Sequence, residues 1–262
     1  MGQRAGVKGV RMEQKGSPLG PPDSEAATAR AVQEMFARVA PRYDFLNHFL
    51  SAGFDLRWRR AAAEAVRPAL ERPGSVAADL CCGTGDLTFA LARFSAGHVV
   101  GADFCHPMLE IANAKRVRRR KAPPARTRFI AADTLRLPFA DGQLDLVAAA
   151  FGFRNLANYA RGLIEMHRVL RPSGTVAILE FSKVHQPVIG PLFRFYFRRV
   201  LPAIGALISG VSGPYQYLPD SVRHFPDQES LARGLREAGF TNIRYRNFFA
   251  GAAALHLGEK AA

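Results

Sequence analysis

The residues best placed to do chemistry stand in one short stretch, Asp79-Leu80-Cys81-Cys82-Gly83-Thr84-Gly85-Asp86, followed downstream by Asp103 and by Asp133-Thr134. Gly83 and Gly85 permit a tight turn and leave room for a ligand above the end of a strand. Thr88 stands where a dinucleotide fingerprint carries its third glycine, and Asp86 would repel a pyrophosphate seated on the following helix N-terminus. A cationic ligand without phosphate meets no such objection. Asp103 follows the turn by about 20 residues, where a carboxylate accepts both hydroxyls of a ribose. Asp133 is placed to receive an adenine amino group, and Thr134 offers a hydroxyl beside it. Carboxylates at three strand ends, Asp79, Asp103 and Asp133, therefore suit S-adenosylmethionine, whose sulfonium is positive and whose sugar and base present donors. Singly, each acid is also what turns and helix caps use; the combination points to the cofactor.

These groups meet only if a particular set of elements carries them. Val76 to Leu80 reads as a short apolar strand, Leu87 to Phe94 as a helix and Val99 to Asp103 as the next strand. A helix over Pro107 to Lys115 follows, then strands over Phe129 to Ala132 and Leu144 to Phe151. Tyr159 to Leu170 makes a helix closed by Arg171-Pro172-Ser173-Gly174, and Val176 to Phe181 a fifth strand. After Asp227 to Ala238, a helix, come strands at Thr241 to Asn247 and Ala252 to Leu257. Strands alternating with helices imply βαβ units and a mostly parallel sheet, a doubly wound α/β domain. Ahead of it, Ala26 to Ala40 is an amphipathic helix with Asp23 and Ser24 as caps and Pro41 as its stop, and Leu56 to Leu70 a second. Residues 1–25 read as a disordered basic leader and 26–262 as one domain, interrupted by an apolar, aromatic insertion at about 183–219.

Composition bounds the answer. A chain of 262 residues, 48% hydrophobic and 22% charged, buries a full core and is neither collagen-like, coiled-coil nor mainly disordered. Cys81, Cys82 and Cys105 make neither a metal-ligand spacing nor a disulfide framework, so a reducing compartment and no metal are expected. Leu201 to Val211 is too short to span a bilayer and is broken by Pro202 and Gly205. The excess of 36 Lys+Arg over 22 Asp+Glu gives +14, a balance that attracts polyanions. Part lies in an acid-free run from Lys115 to Arg128; part lies in Arg194, Arg198 and Arg199, interleaved with Phe193, Phe195, Tyr196 and Phe197. A solvated surface, an anionic lipid surface and nucleic acid are the readings of that charge, in that order.

Two longer motifs are more specific. From about Ala31 to the C-terminus the chain resembles the ubiquinone/menaquinone-biosynthesis C-methyltransferase family. One family signature is matched by Tyr43-Asp44-Phe45-Leu46-Asn47-His48-Phe49-Leu50-Ser51 through Trp58, with Leu46 for the usual Met and Asp55 for the usual His. The other is matched from Arg168 through Gly174 to Ser182, with Ser173 for Gly. Phe151-Gly152-Phe153-Arg154-Asn155 and Pro226-Asp227-Gln228 also fit. The resemblance implies a Rossmann-like, seven-stranded class I S-adenosylmethionine-dependent methyltransferase fold. It places cofactor contacts on Thr84, Asp103, Asp133 and Thr134 around Gly83 and Gly85, while a cofactor-contacting Ser of the family is Ala150 here. The Cys81-Cys82 doublet resembles members acting in menaquinone synthesis.

The activity so implied is methylation of a ring carbon of a prenylated quinol, demethylmenaquinol to menaquinol, with a 2-methoxy-6-polyprenyl-1,4-benzoquinol as the alternative substrate. Such a carbon is nucleophilic only beside a phenolate, and a phenol of pKa near 10 needs a general base or a nearby cation. Arg154, His224 and Asp227 are the candidates, with Tyr43 and Asp44 closing over the cofactor. The aromatic insertion fits an isoprenoid channel whose arginines meet anionic headgroups; alternatively it is core and homodimer surface. A cytoplasmic enzyme, transiently at the inner face of the membrane and without a nucleic-acid partner, is expected. Its rivals are an RNA methyltransferase, which lacks an RNP-like motif here, and a cofactor-binding scaffold without turnover.

Overall fold

The computed structural model describes residues 16–19, 24–51, 53–119, 126–184, 190 and 213–262. Its strands are β1 (Val76–Leu80), β2 (His98–Asp103), β3 (Thr127–Ala131), β4 (Leu144–Ala150), β5 (Leu170–Phe181), β6 (Phe240–Phe248) and β7 (Ala253–Lys260). They form one sheet in the order β3-β2-β1-β4-β5-β7-β6. The first five run parallel, while β7 is antiparallel to both β5 and β6. Every residue of β4 is buried, as a central strand covered on both faces requires. Alternate residues then serve opposite layers: Ala78, Val147 and Ile178 pack with Tyr159, Met166 and Leu235. Ala77, Ala148 and Leu179 pack with Ala63, Leu87 and Leu91 on the other side.

The helices are α1 (Glu25–Val39), α2 (Tyr43–Leu50), α3 (Phe54–Ala65), α4 (Arg67–Leu70), α5 (Asp86–Ala92), α6 (His106–Arg118), α7 (Tyr159–Val169), α8 (Gly213–His224) and α9 (Gln228–Glu237). Ser24 caps α1 by accepting from Ala27 N at 3.3 Å, and Asn158 caps α7 by accepting from Arg161 N at 3.0 Å. The single helix expected over Leu56 to Leu70 is two, because Pro68 restarts the chain in the first turn of α4. The fifth strand begins at Leu170 and carries Arg171 to Gly174, expected as a closing turn. Ser173 there takes a φ of 59°, and the register against β4 shifts between Leu144 and Leu146. Helix α2 was not expected from apolar spacing.

Part of the expected leader is fastened down: Ser17 N donates to Leu156 O at 2.8 Å, and Ser17 Oγ lies 2.8 Å from Tyr217 Oη. The aromatic insertion, with Arg194, Arg198 and Arg199, lies for the most part outside the described residues, as does residue 120 onward in the basic run up to 125. Among the described residues, no helix is long and apolar enough to cross a membrane.

Candidate functional site

A cleft opens beyond the C-terminal ends of β1, β2 and β4, where open α/β sheets bind their ligands. Its floor is the turn after β1, where Cys81 (φ 50°), Gly83 (φ 55°) and Gly85 (φ 89°) swing the backbone up and over into α5. Gly152, after β4, presses so closely on this turn that a Cβ there would lie 2.3 Å from that of Cys81. The roof comes from α1 and α2, through Ala29, Phe36 and Tyr43.

Asp103 organises the wall. Its Oδ2 accepts from Gly83 N and its Oδ1 from Cys105 N, each at 2.8 Å, so the carboxylate ties the glycine turn to the end of β2. Burial pushes its pKa up, and these backbone donors pull it back. Each oxygen keeps a second lone pair for a ligand hydroxyl. Asp133 Oδ1 accepts from Leu135 N at 2.9 Å, and Thr134 Oγ1 lies 3.5 Å from Cys81 Sγ. Gly83, Asp103, Asp133 and Thr134 thus line one cleft, with Phe104, Cys105 and Met108 among its apolar residues. Two carboxylates with apolar neighbours suit a nucleoside, whose sugar and base present donors. The donor set is therefore right for S-adenosylmethionine.

Other sequence candidates stand elsewhere. Thr84 turns away from the cleft: its Oγ1 donates to Asp44 Oδ1 and accepts from Lys115 Nζ at 2.9 Å. Lys115 also pairs with Asp44 at 2.6 Å and Asp86 at 2.9 Å, while His48 Nε2 lies 3.5 Å from Asp86. Asp44, His48 and Asp86 are close enough together to ligate a metal, but the Lys115 ammonium already provides the cation there. The network fastens α2 to the glycine turn. Lys115 belongs to the acid-free basic run; no residue-level signal marks it as the half-buried partner of three oxygens.

Asp79 lies beneath the turn rather than in the cleft, accepting from Thr88 Oγ1 at 2.6 Å. His224 Nδ1 lies 2.8 Å from Asp220 O in the last turn of α8, and Asp227 caps α9 by accepting from Ser230 N at 2.9 Å. Neither lines the cleft. Arg154 is buried directly behind the wall: it pairs with Glu180 at 2.8 Å and donates to Phe151 O. Its charge and that of Arg59 lower the pKa of Tyr43, which burial raises more strongly. Burial also raises the thiols of Cys81, Cys82 and Cys105, so none is poised as a nucleophile. Ala150, in place of a hydroxyl, sits 9% exposed at the end of β4.

A family model described as the ubiE/COQ5 methyltransferase family matches residues 24–260. The demethylmenaquinone methyltransferase of Thermus thermophilus is 48% identical, the match covering 86% of this chain and 100% of that one. The ubiquinone/menaquinone biosynthesis C-methyltransferase UbiE of Geotalea uraniireducens is 42% identical, over 87% of this chain and 96% of its own. In fold, a solved SAM-dependent methyltransferase from Thermotoga maritima is similar, with a TM-score of 0.61 at 16% identity over 87% of this chain and 99% of that one.

Proposed function

The chain belongs to the ubiE/COQ5 methyltransferase family, and from that premise we propose that it C-methylates the ring of a prenylated quinol, converting demethylmenaquinol to menaquinol. The observation that carries the reading is the likeness to the Thermus protein along that protein's whole length, at 48% identity. S-adenosylmethionine supplies the electrophilic methyl group. Asp103 orients the sugar through its two oxygens, Asp133 meets the base, and the Gly83 turn lets the ligand approach the backbone. The three groups position the donor for an in-line attack.

The acceptor must be the reduced ring, since only a phenolate pushes electron density onto the neighbouring carbon. Of the sequence candidates for stabilising that phenolate, Arg154 alone is set against the cleft. Its guanidinium, held by Glu180 and shielded from water, projects a fixed positive charge through the Phe151 wall toward Tyr43. Phe151 and Leu156 give the cleft an apolar side for the ring and the start of its tail. Because the tail is lipid, we place the working enzyme at the inner surface of a membrane, without a bound metal or nucleic acid.

Purified protein given methyl-labelled S-adenosylmethionine is expected to label chemically reduced demethylmenaquinone and to leave the oxidised form blank. Label in the methoxy-benzoquinol as well would favour the second reading, which the Geotalea relative's double name motivates. Label in RNA with both lipids blank would overturn the proposal.

A further inference from the structure

Among the described residues, eight large hydrophobic side chains are exposed, and five of them, Phe45, Phe49, Phe54, Leu56 and Phe249, belong to α2, α3 and the turn before β7. Phe45 and Phe49 stack one helical turn apart, with ring centroids 5.9 Å apart. Phe54 meets Phe249 at 5.8 Å. The turn that presents Phe249, 59% exposed, does so at a positive φ of 44°, followed by Ala250 at 55°. Non-glycine residues adopt that conformation only where surrounding structure holds them there. Four outward phenylalanines in two touching pairs, on α2, α3 and a strained turn, are more than scattered single residues.

Arginines accompany these rings. The Arg57 guanidinium lies 5.6 Å over the Phe54 ring, Arg246 lies 5.2 Å over Phe248, and Arg60 is exposed. The acids of α2 and of the first turn of α3 are already satisfied, Asp44 by Lys115 and Asp55 by Arg59. Inward from the surface the aromatic contacts continue: Phe54 to Trp58 at 5.9 Å, then Trp58 to Phe151 at 6.1 Å. Phe151 is a wall of the cleft. Packed aromatic rings therefore connect the exposed face to the wall of the site.

We propose that the α2–α3 hairpin, with the Phe249 turn, docks on an anionic lipid bilayer. The docking stands on the exposed aromatics and arginines; the long-tailed substrate used to test it rests on the quinol reading. Aromatic rings at the acyl boundary with guanidinium groups at headgroup level is the arrangement such a boundary favours. A second copy of the chain is a poorer occupant, because a two-fold contact would set these arginines against themselves.

The test uses the full chain and extruded vesicles of phosphatidylcholine with or without phosphatidylglycerol. Wild type should sediment with the anionic vesicles, and Arg57→Glu with Arg60→Glu should weaken partition at least about tenfold. Phe49→Ser with Phe249→Ser should weaken it similarly. Both variants should methylate a short-tailed, water-soluble demethylmenaquinol at the wild-type rate while losing activity on long-tailed quinol in vesicles. Unchanged sedimentation of both variants overturns the proposal. So does sedimentation-velocity evidence that wild type self-associates through this face. Vesicle binding lost in the variants, with no quinol methylated by wild type, would leave the docking intact and remove the substrate instead.

Discussion

Asp79 is enclosed at the end of β1 with Thr88 Oγ1 on one oxygen at 2.6 Å and no partner for the other. Burial raises its pKa to about 7, partly opposed by that hydrogen bond and by the charge of Arg59. The folded chain therefore holds this proton more tightly than the unfolded chain, whose group titrates near 4. Its contribution to stability is whole below about pH 4, falls as pH rises toward 7 and is gone above that, a span of at most about 4 kcal/mol. Asn keeps an oxygen for Thr88 and carries no proton to lose. Asp79→Asn should accordingly gain stability relative to wild type at pH 8 and lose that advantage at pH 4, read by urea unfolding at both values. At this scale the sequence disclosed which residue types meet, but not where each points. Asp103, Asp133 and Thr134 face the cleft as their strand ends required. Thr84 turns out to Asp44 and Lys115 because the positive φ of Gly83 and Gly85 on either side rotates it away, a conformation that residue type permits but does not dictate.

Among elements, the close fit of β2, β3 and the glycine turn is made by one ring. A Cβ on Gly101 would lie 2.5 Å from Phe129, and one on Gly85 would lie 2.7 Å from the same side chain. Phe129, stacked edge-on against Phe89 at 5.6 Å, thus fills the space that two glycines vacate beneath the cofactor turn. Gly101→Ala should cost about 1–3 kcal/mol by overpacking. Adding Phe129→Leu should return part of that loss, so that the double variant is more stable than the sum of the singles allows. Thermal unfolding of the four proteins closes the cycle. Strand positions were readable because runs such as Leu146 to Ala150, apolar throughout, belong to a sheet covered on both sides. Helix α2 was not, since Asp44 and His48 reach toward the glycine turn while Phe45 and Phe49 face outward. Spacing that assigns rings to the inside does not register a helix that turns them out.

For the molecule as a whole, the +14 balance remains the property least explained by the fold. Nucleic acid should be held by it only through backbone electrostatics: total RNA should be retained at low salt, released by about 0.2 M salt and left without methyl label. Filter binding across a salt series, with scintillation counting of the RNA, measures both. The class of fold was legible from strand–helix alternation, and the antiparallel end of the sheet was not, because β7 enters between two strands that precede it in the chain. That placement bears on synthesis. On the ribosome β6 emerges before the strand it will pair with, and β5 waits with an open edge until residues 253–260 are free of the tunnel. Until then Leu179 and its neighbours are unpaired on that side and open to chaperones. The final assembly step of the nascent enzyme is therefore an insertion into the sheet rather than an addition at its rim.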